Sequence, residues 1–362
     1  MDIWGEKAGW QERLLRTTIV GVIFGTLANA LNVPLPWMLG PLFGCATLSI
    51  AGFRLGMPGK LTLGSRMAIG MILGAAIDSA TLARVGQWPL SLLILFVGMG
   101  LAITAAAIYY RKAAGYDKLT AVAASLPGGL ANITSVALQL GANVPGTVVS
   151  QLLRVSLVVM TVPPLYIFWI GADGAGLGQM NGGFDWVGQN TWIVLGAVPA
   201  YLLGRLVRLP VPEMLGPMML ATVLNLAGYQ LVMPIWLFAA TFIVLGSTIG
   251  ARFYGLELRV LLSYGRHAVG GTALLLTGTL LVALAISHVM DIPLYVALLA
   301  VMPGGIAEMA ILAAVLGVDP VFVTFHQVFR SVILNSTAPF ILRWCQRTDP
   351  AGGGPEGGKG GA

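Results

Sequence analysis

A few polar residues interrupt long apolar stretches of the chain and could do chemistry there. Gln151 and Arg154 are three residues apart, and Gln327 and Arg330 repeat this spacing, which places each pair on one face of a helix. An arginine inside an apolar segment costs at least about 2.5 kcal/mol to insert into a bilayer, so it is expected to face the protein interior or a cavity. It could then clamp a substrate carboxylate, or it could hold a broken helix by donating to its carbonyls. The sequence leaves both roles open.

A Pro-Gly-Gly motif precedes each of these pairs. The motif interrupts apolar helical sequences at 127–129 and at 303–305. Proline removes a backbone donor and glycine relaxes the backbone, so each helix is expected to break there. Non-helical backbone at membrane depth needs protein or a water-filled cavity around it. One such motif fits a simple kink as well as a site, but two copies at the same position favour a site.

The helices that restart at Leu130 and Ile306 would point unpaired N–H groups into that cavity, which suits an anion such as a carboxylate. Asn132 and Glu308 take equivalent positions in the first turn of these helices. Glu308 is the predicted site for a coupling proton or Na⁺. His326 could relay protons, or it could be a packed polar residue, since no titratable residue takes its place in the other copy.

The predicted substrate-binding residues are Pro127, Gly128, Gly129, Asn132, Gln151, Arg154, Pro303, Gly304, Gly305, Glu308, Gln327 and Arg330. Proton or ion coupling is predicted for Glu308 and His326. No catalytic residue, metal site or cofactor is predicted, because the three histidines lie in distant segments and two cysteines do not suffice for a thiolate site. The chain is therefore not expected to be an enzyme.

The elements that must position these residues are apolar. Of the 362 residues, 57% are hydrophobic and only 9% are charged, whereas roughly 25% charged residues are usual in a soluble domain. This composition excludes a secreted enzyme or a soluble nucleotide-binding fold and predicts an all-α polytopic membrane protein. The net charge of +6 is distributed over short gaps between apolar runs, which is typical of membrane topology and not of a nucleic-acid-binding surface.

The apolar segments form two sets of six that are copies of each other. Equivalent positions are 176 residues apart, namely Pro36 and Pro212, Gly70 and Gly246, Pro127 and Pro303, and Arg154 and Arg330. A register held over most of each copy indicates an internal duplication, which is common among secondary transporters.

The positive residues indicate how the copies are oriented. They follow the second and fourth segments of the first copy, as at Arg54 and Lys112, but the first and third segments of the second copy, as at Arg205 and Arg252. Under the positive-inside rule the copies then have opposite topologies, although Arg84 does not fit this pattern. The predicted fold is two homologous, inverted repeats of about five crossings each, with a broken or re-entrant helix at each Pro-Gly-Gly motif.

The predicted organisation has five parts along the chain. These are a cytoplasmic N-terminal segment (1–13), a first membrane repeat (14–170), a polar linker (171–189), a second membrane repeat (190–345) and a disordered C-terminal tail (346–362).

The duplicated motifs, Met-Leu-Gly-Pro at 38–41 and 214–217 and Pro-Gly-Gly-(Leu/Ile)-Ala-(Asn/Glu) at 127–132 and 303–308, resemble those of bacterial AbrB-type membrane proteins. Members of that family are often labelled ammonia monooxygenases or AbrB family transcriptional regulators. The resemblance implies an inner-membrane protein that is remotely similar to cation–proton antiporter and anion transporter folds. It also implies, for some members, a link to the regulation of gene expression.

The leading interpretation is a secondary transporter of a small anionic or zwitterionic metabolite, with alternating access around a mid-membrane site. The alternative is a membrane sensor or regulator that acts indirectly on gene expression. A membrane-bound monooxygenase, as the family label suggests, is less favoured because no converging set of metal ligands is found. The expected location is the bacterial inner membrane, with multiple crossings. The expected partners are the lipid bilayer, a small-molecule substrate and H⁺ or Na⁺, without nucleic acid, and a homodimer is expected by analogy.

Overall fold

The computed structural model of the chain describes residues 9–33, 35–75, 77, 85–128, 130–170, 195–229, 235–256, 258–315 and 318–348. Within these ranges the regular structure is helical and contains no strand. The predicted linker at 171–189, most of the predicted N-terminal segment and the tail from 349 onward lie outside the described residues. Gly129 and Arg84 also lie outside them, as does the side chain of Asn132.

The first half of the chain contributes seven helices to the described structure. They are α1 (Trp10–Ala30), α2 (Pro36–Ile50), α3 (Gly59–Ala75), α4 (Pro89–Ala113), α5 (Lys118–Ser125), α6 (Leu130–Gln139) and α7 (Val144–Ile170), and a short 3₁₀ turn at Val85–Gln87 precedes α4.

The second half contributes seven more. They are α8 (Ala197–Leu206), α9 (Pro212–Leu226), α10 (Ile235–Ala251), α11 (Leu258–Met290), α12 (Leu294–Val301), α13 (Ile306–Val315) and α14 (Pro320–Thr348).

The helix ends recur with the spacing of the sequence motifs. The helices α2 and α9, α3 and α10, α5 and α12, and α6 and α13 begin and end at positions 176 residues apart. Local signals recur as well, because Pro36 and Pro212 each open a helix at a position where proline is favoured. The residues before them, Leu35 and Val211, both have left-handed backbone angles, with φ of 47° and 51°. Equivalent local sequence signals therefore begin equivalent helices in the two halves.

The helices form two bundles. The first bundle consists of α1–α3 and α8–α10, and its largest contacts join the two halves of the chain, α3 against α9 and α2 against α10. The second bundle consists of α4–α7 and α11–α14, in which α11 packs against α4 and α7. The most extensive contact between the bundles is that of α13 with α3. A buried apolar cluster extends across both bundles and includes Ile69 of α3, Val158 of α7 and Leu299 of α12.

Glycines allow the close contacts of the first bundle. A β-carbon at Gly70 of α3 would overlap the carbonyl oxygen of Met214 on α9, and one at Gly246 of α10 would overlap that of Met38 on α2. The two contacts are equivalent in the two halves. Small residues that let helix backbones approach in this way are typical of helix packing in membranes.

Among the residues that the structure describes, three helices are long and apolar enough to cross a membrane, over Pro89–Ala113, Val144–Tyr166 and Arg259–Met290. Large apolar side chains also cover the outer surface, where Leu101 is 68% exposed, Leu281 63% and Phe340 72%. Water-soluble monomers rarely expose extended apolar surfaces of this kind. The fold is therefore compatible with a membrane protein.

Two helices are longer than the apolar pattern predicts. The sequence from Ala268 onward is almost uninterruptedly apolar and predicts a helix there, but α11 begins ten residues earlier at Leu258, so Arg259 and Arg266 are helical as well. The helix α14 continues to Thr348, beyond the predicted end of the second repeat at 345. Polar residues at a membrane surface can continue a helix without contributing to an apolar pattern, because water solvates their side chains.

The glycine contacts lead to a test of the first bundle. Gly70→Ala should lower the free energy of unfolding by about 1–3 kcal/mol, because the added methyl group overlaps backbone that has no space to move. Gly64→Ala on the same helix is the matched control, since a β-carbon there meets no atom within 4 Å. Thermal unfolding in detergent measures both, and equal melting temperatures for the two variants would contradict the proposed contact.

Candidate functional site

The connection between α5 and α6 is held by two side chains of α7. Gln151 donates through Nε2 to the carbonyl of Ala123 at 2.8 Å, and Arg154 donates through Nη1 to the carbonyl of Ala124 at 3.3 Å. The Gln151 Oε1 atom accepts a hydrogen bond from the Thr134 hydroxyl of α6 at 3.1 Å. The end of α5 and the second turn of α6 therefore converge on one amide group.

The connection between α12 and α13 is held by the equivalent residues of α14. Gln327 donates through Nε2 to the carbonyls of Leu299 at 2.9 Å and Met302 at 3.0 Å. Arg330 donates through Nη2 to the carbonyl of Gly304 at 2.8 Å and through Nη1 to that of Met302. The last carbonyls of a helix have no partner within it, so these side chains supply donors that water would supply elsewhere.

One bond of the first half is missing in the second. The position equivalent to Thr134 is Ala310, which has no hydroxyl. The buried Oε1 atom of Gln327 accordingly has no hydrogen-bond partner among the described residues. A buried amide oxygen without a donor is destabilising by about 1–3 kcal/mol, so the second break is the less satisfied of the two.

Both arginines are deeply buried, with 2% of Arg154 and 4% of Arg330 exposed. Their bonds to carbonyls fit the role of an arginine that holds a broken helix. Each guanidinium group nevertheless keeps its Nε donor without a partner in the described part of the chain. Each side chain thus holds a helix end and retains one buried donor.

The two arginines also repel each other. The positive charge of Arg154 acts unfavourably on that of Arg330, although their helices belong to different halves of the chain. Neither of them is in the ion pairs of the described residues, which are Arg16 with Glu12 and Arg66 with Glu213. Buried charges are normally paired, and the described structure provides no carboxylate within ion-pair distance of these two.

Glu308 lies in the first turn of α13, immediately after the second Pro-Gly-Gly motif. Its side chain is half-buried, and the carboxylate folds back over Gly305, where a β-carbon would overlap it. A carboxylate in this place complements the positive end of its own helix. Glu308 therefore has the geometry of a helix cap at the break.

Glu308 also faces charged residues of the first bundle. Arg66 of α3, the helix on which α13 packs, donates to a carboxylate oxygen of Glu213 at 2.8 Å. Arg252 directly follows α10. Partial desolvation lowers the pKa of Arg252, the negative charge of Glu308 opposes that shift, and the positive charge of Arg66 adds to it. The charges of these four residues influence one another, and we call the four residues the charged cluster; within it, Arg66 and Glu213 form an ion pair.

Sequence reasoning missed this cluster, because its members are far apart in the chain. The signal that could have found it is an asymmetry between the copies. The positions equivalent to Arg66 and Glu213 are Phe242 and Trp37, so an apolar pair of one half is replaced by an ion pair in the other.

His326 is fully buried between α14 and the start of α4. Its Nδ1 atom lies 2.8 Å from the carbonyl of Phe322, which can only accept, so Nδ1 carries a proton. Its Nε2 atom lies 2.8 Å from the hydroxyl of Ser91. The rings of Phe322 and Trp88 pack against the imidazole. These contacts agree with the packed polar role and tie α14 to α4.

Aromatic residues form one wall beside Arg154. Tyr110 of α4 is stacked on Tyr116 with ring centroids 5.4 Å apart, and its hydroxyl lies where a β-carbon of Gly271 would be. The packing of α4 on α11 buries Tyr110. A local sequence pattern could not predict this contact, because the two helices are far apart in the chain. Each tyrosine contributes an apolar ring and a polar hydroxyl group to this wall.

The structure thus gathers the predicted residues into two groups. Gln151 and Arg154 lie at the first break, and Gln327 and Arg330 lie at the second. The motif residues Pro127, Gly128, Pro303, Gly304 and Gly305 form the connections between the short helices. His326 contacts neither connection through the hydrogen bonds described above. Within the described residues, no three His, Cys, Asp or Glu side chains come together as metal ligands.

The regular structure of the described residues is helical, and its long apolar helices are compatible with the class of helical membrane proteins. The chain belongs to the AbrB family, since the family described as "Transition state regulatory protein AbrB" matches residues 37–346. The expected family membership is thereby confirmed.

Two relatives match most of the chain at low identity. "Putative regulator AbrB" of Escherichia coli (strain K12) is 28% identical over 330 residues, covering 89% of this chain and 93% of that protein. "Uncharacterized protein YhjN" of Bacillus subtilis (strain 168) is 26% identical over 349 residues, covering 88% and 89%.

The hydrogen bonds of the two arginines lead to a comparison of variants. Arg330→Met should lower the free energy of unfolding by about 2–6 kcal/mol, because the carbonyls of Val301 and Gly304 lose their side-chain donor and each unsatisfied buried acceptor costs about 1–3 kcal/mol. Arg154→Met removes one bond and should cost less, about 1.5–3 kcal/mol. Thermal unfolding in detergent tests the order. Arg330→Lys, which keeps one donor group, should fall between wild type and Arg330→Met, and equal losses at both arginines would contradict this account.

Proposed function

We propose that the protein is a secondary transporter of a small anionic or zwitterionic metabolite, with multiple crossings of the bacterial inner membrane. The observation that carries the proposal is the pair of buried arginines that repel each other and have no carboxylate partner in the described structure. An anion bound beside them would supply the missing countercharge. The unpartnered Nε donors of Arg154 and Arg330 are available for it.

The helix starts near the arginines support the same class of substrate. The helices α6 and α13 begin directly after the Pro-Gly-Gly motifs, so their first N–H groups are unpaired within the helix. The positive ends of two half-helices favour a carboxylate or a similar anion. In this proposal Asn132, Gly129 and the other motif residues line the site.

The geometry at the first break supports a re-entrant segment. In an uninterrupted helix, Ala123 and Thr134 would be about 16 Å apart. Both contact the amide group of Gln151, at 2.8 and 3.1 Å. One amide group is too small to bridge the longer separation, so α6 turns back toward α5. If each such segment enters and leaves on one side, five helices of each half cross the membrane, as the inverted topology requires.

Alternating access would move the two bundles against each other. The contact of α13 with α3 and the charged cluster around Glu308 lie where the bundles meet. A proton or Na⁺ at Glu308 would weaken its attraction to Arg252 and so favour separation of the bundles on that side. Glu308 therefore takes the coupling role in the proposal, and His326 holds α14 in place.

A second candidate is a membrane sensor or regulator that binds the same anion and acts indirectly on gene expression. The name of the Escherichia coli relative, which calls that protein a regulator, favours it. No group of metal ligands in the described residues supports the monooxygenase alternative. Transport and sensing differ in whether the bound anion crosses the membrane.

The inverted topology is tested at two equivalent positions. Leu31 and Val207 directly follow α1 and α8 and are 67% and 65% exposed. In a chain whose two native, buried cysteines are replaced by serine, Leu31→Cys and Val207→Cys should react with a membrane-impermeant maleimide from opposite sides. Permeabilised cells are the control, in which both should react. Reaction of both from one side would contradict the inversion.

Transport is tested with purified protein in liposomes and a panel of labelled carboxylates and amino acids under proton or Na⁺ gradients. We expect accumulation of at least one of them. The double variant Arg154→Lys/Arg330→Lys, which keeps both charges but loses the planar fork of donors, should reduce uptake at least tenfold. Lys112→Ala, a change of an exposed basic residue, is the control.

Glu308→Gln tests the coupling role. It should abolish the dependence of uptake on the ion gradient while leaving exchange of substrate, because the amide does not titrate. Asp319→Asn is the matched control, since an amide oxygen can still cap α14 as the carboxylate does. No accumulation of any compound by wild type would overturn the transport proposal, and a compound that raises the melting temperature without accumulating would favour the sensor.

A further inference from the structure

A long groove lies on the outside of the second bundle, between α4, α5 and α14. It has a volume of about 630 Å³ and is lined almost wholly by apolar side chains, among them Leu101, Ile108 and Ile341. At one end it reaches Arg111, Lys118 and Trp344, and at the other it ends beside Arg330. None of the residues that line it is acidic.

The length of the groove matches one leaflet of a bilayer. Its lining runs along α4 from Leu95 to Arg111 and along α14 from Phe329 to Cys345, which is about 24 Å of helix in each case. Half of the hydrocarbon core of a bilayer is about 15 Å thick, and the headgroup region adds several ångströms. A groove of this length extends from the membrane surface to the middle of the hydrocarbon core.

The groove opens sideways, toward the surface that lipid would cover. Phe96 and Leu101 on its rim are 53% and 68% exposed. A polar ligand would not bury this apolar wall favourably. An acyl chain is itself apolar and would cover the wall favourably.

The basic end has the chemistry of a lipid headgroup site. The Lys118 ammonium group lies 4.0 Å from the centre of the Trp344 ring and donates to the Thr348 hydroxyl at 2.7 Å. Tryptophan and lysine are typical of the membrane–water boundary. The nearby carboxylate of Asp117 caps α5 by accepting from the Thr120 amide at 3.1 Å. Arg111 and Lys118 thus present two positive charges at the mouth of an apolar groove.

We infer that this groove binds an anionic phospholipid, with one acyl chain along α4 and α14 and the phosphate group between Arg111 and Lys118. The positive charges attract the headgroup, and the apolar walls bury the chain. The inference depends on the position of the protein in a bilayer and not on transport activity, so failure of one proposal leaves the other unaffected.

The test uses the full-length protein, purified in detergent and depleted of lipid. Long-chain phosphatidylglycerol should raise its melting temperature by several degrees more than phosphatidylcholine with the same chains. Phosphatidylglycerol with six-carbon chains and inorganic phosphate should have little effect, because they lack the chain that fills the groove. Native mass spectrometry should show about one retained phosphatidylglycerol per chain.

Three variants separate the headgroup from the chain. Arg111→Ala/Lys118→Ala should remove the preference for phosphatidylglycerol over phosphatidylcholine, whereas Lys112→Ala, at the neighbouring exposed position outside the groove lining, should retain it. Gly100→Phe should abolish the response to both long-chain lipids by filling the groove. A β-carbon at Gly100 meets no atom within 4 Å, so the variant is expected to fold.

Two results would overturn the inference. One is an equal response of the wild type to phosphatidylglycerol and phosphatidylcholine, or to inorganic phosphate and the long-chain lipid. The other is an unchanged lipid response in a folded Gly100→Phe variant.

Discussion

Every backbone carbonyl that a broken helix frees inside this protein needs a donor that does not come from water. At both breaks the donors come from the helix that follows in the chain, through a glutamine and an arginine one turn apart. This requirement explains why α7 and α14 each carry a buried arginine at these positions. It also fixes the position of α7 and α14 relative to the short helices, because a shift by one residue would remove the side chains from the carbonyls that they serve.

The two halves meet this requirement unequally, and the differences lie at the candidate site. Thr134 satisfies Gln151, whereas Ala310 leaves the buried oxygen of Gln327 without a donor in the described structure. The first turn after the second break carries Glu308 where the first carries Asn132, and the charge of Glu308 acts on Arg252 of the other bundle. A duplicated fold can specialise in this way, because both copies retain the bonds to the freed carbonyls while only the second carries a titratable group in the first turn after the break.

Local sequence patterns predict the helices well and their partners poorly. The motif spacing, the prolines at helix starts and the Pro-Gly-Gly interruptions predict elements that begin at Pro36, Leu130, Pro212 and Ile306, because each signal acts within a few residues. The apolar pattern does not predict the start of α11, because Arg259, Ser263, Arg266 and His267 interrupt it there. The grouping of α1–α3 with α8–α10 and the pair of Arg66 with Glu213 depend on contacts between distant segments, and no local pattern encodes them.

The glycine contacts of the first bundle have a consequence for how the chain is made. The helix α9 packs on α3 at Gly70, and α10 packs on α2 at Met38. Both α9 and α10 are synthesised more than a hundred residues after their partners. Until then, α2 and α3 lack the helices against which their backbones pack most closely. The first bundle can therefore close only after α4–α7, the first four helices of the second bundle, have been translated.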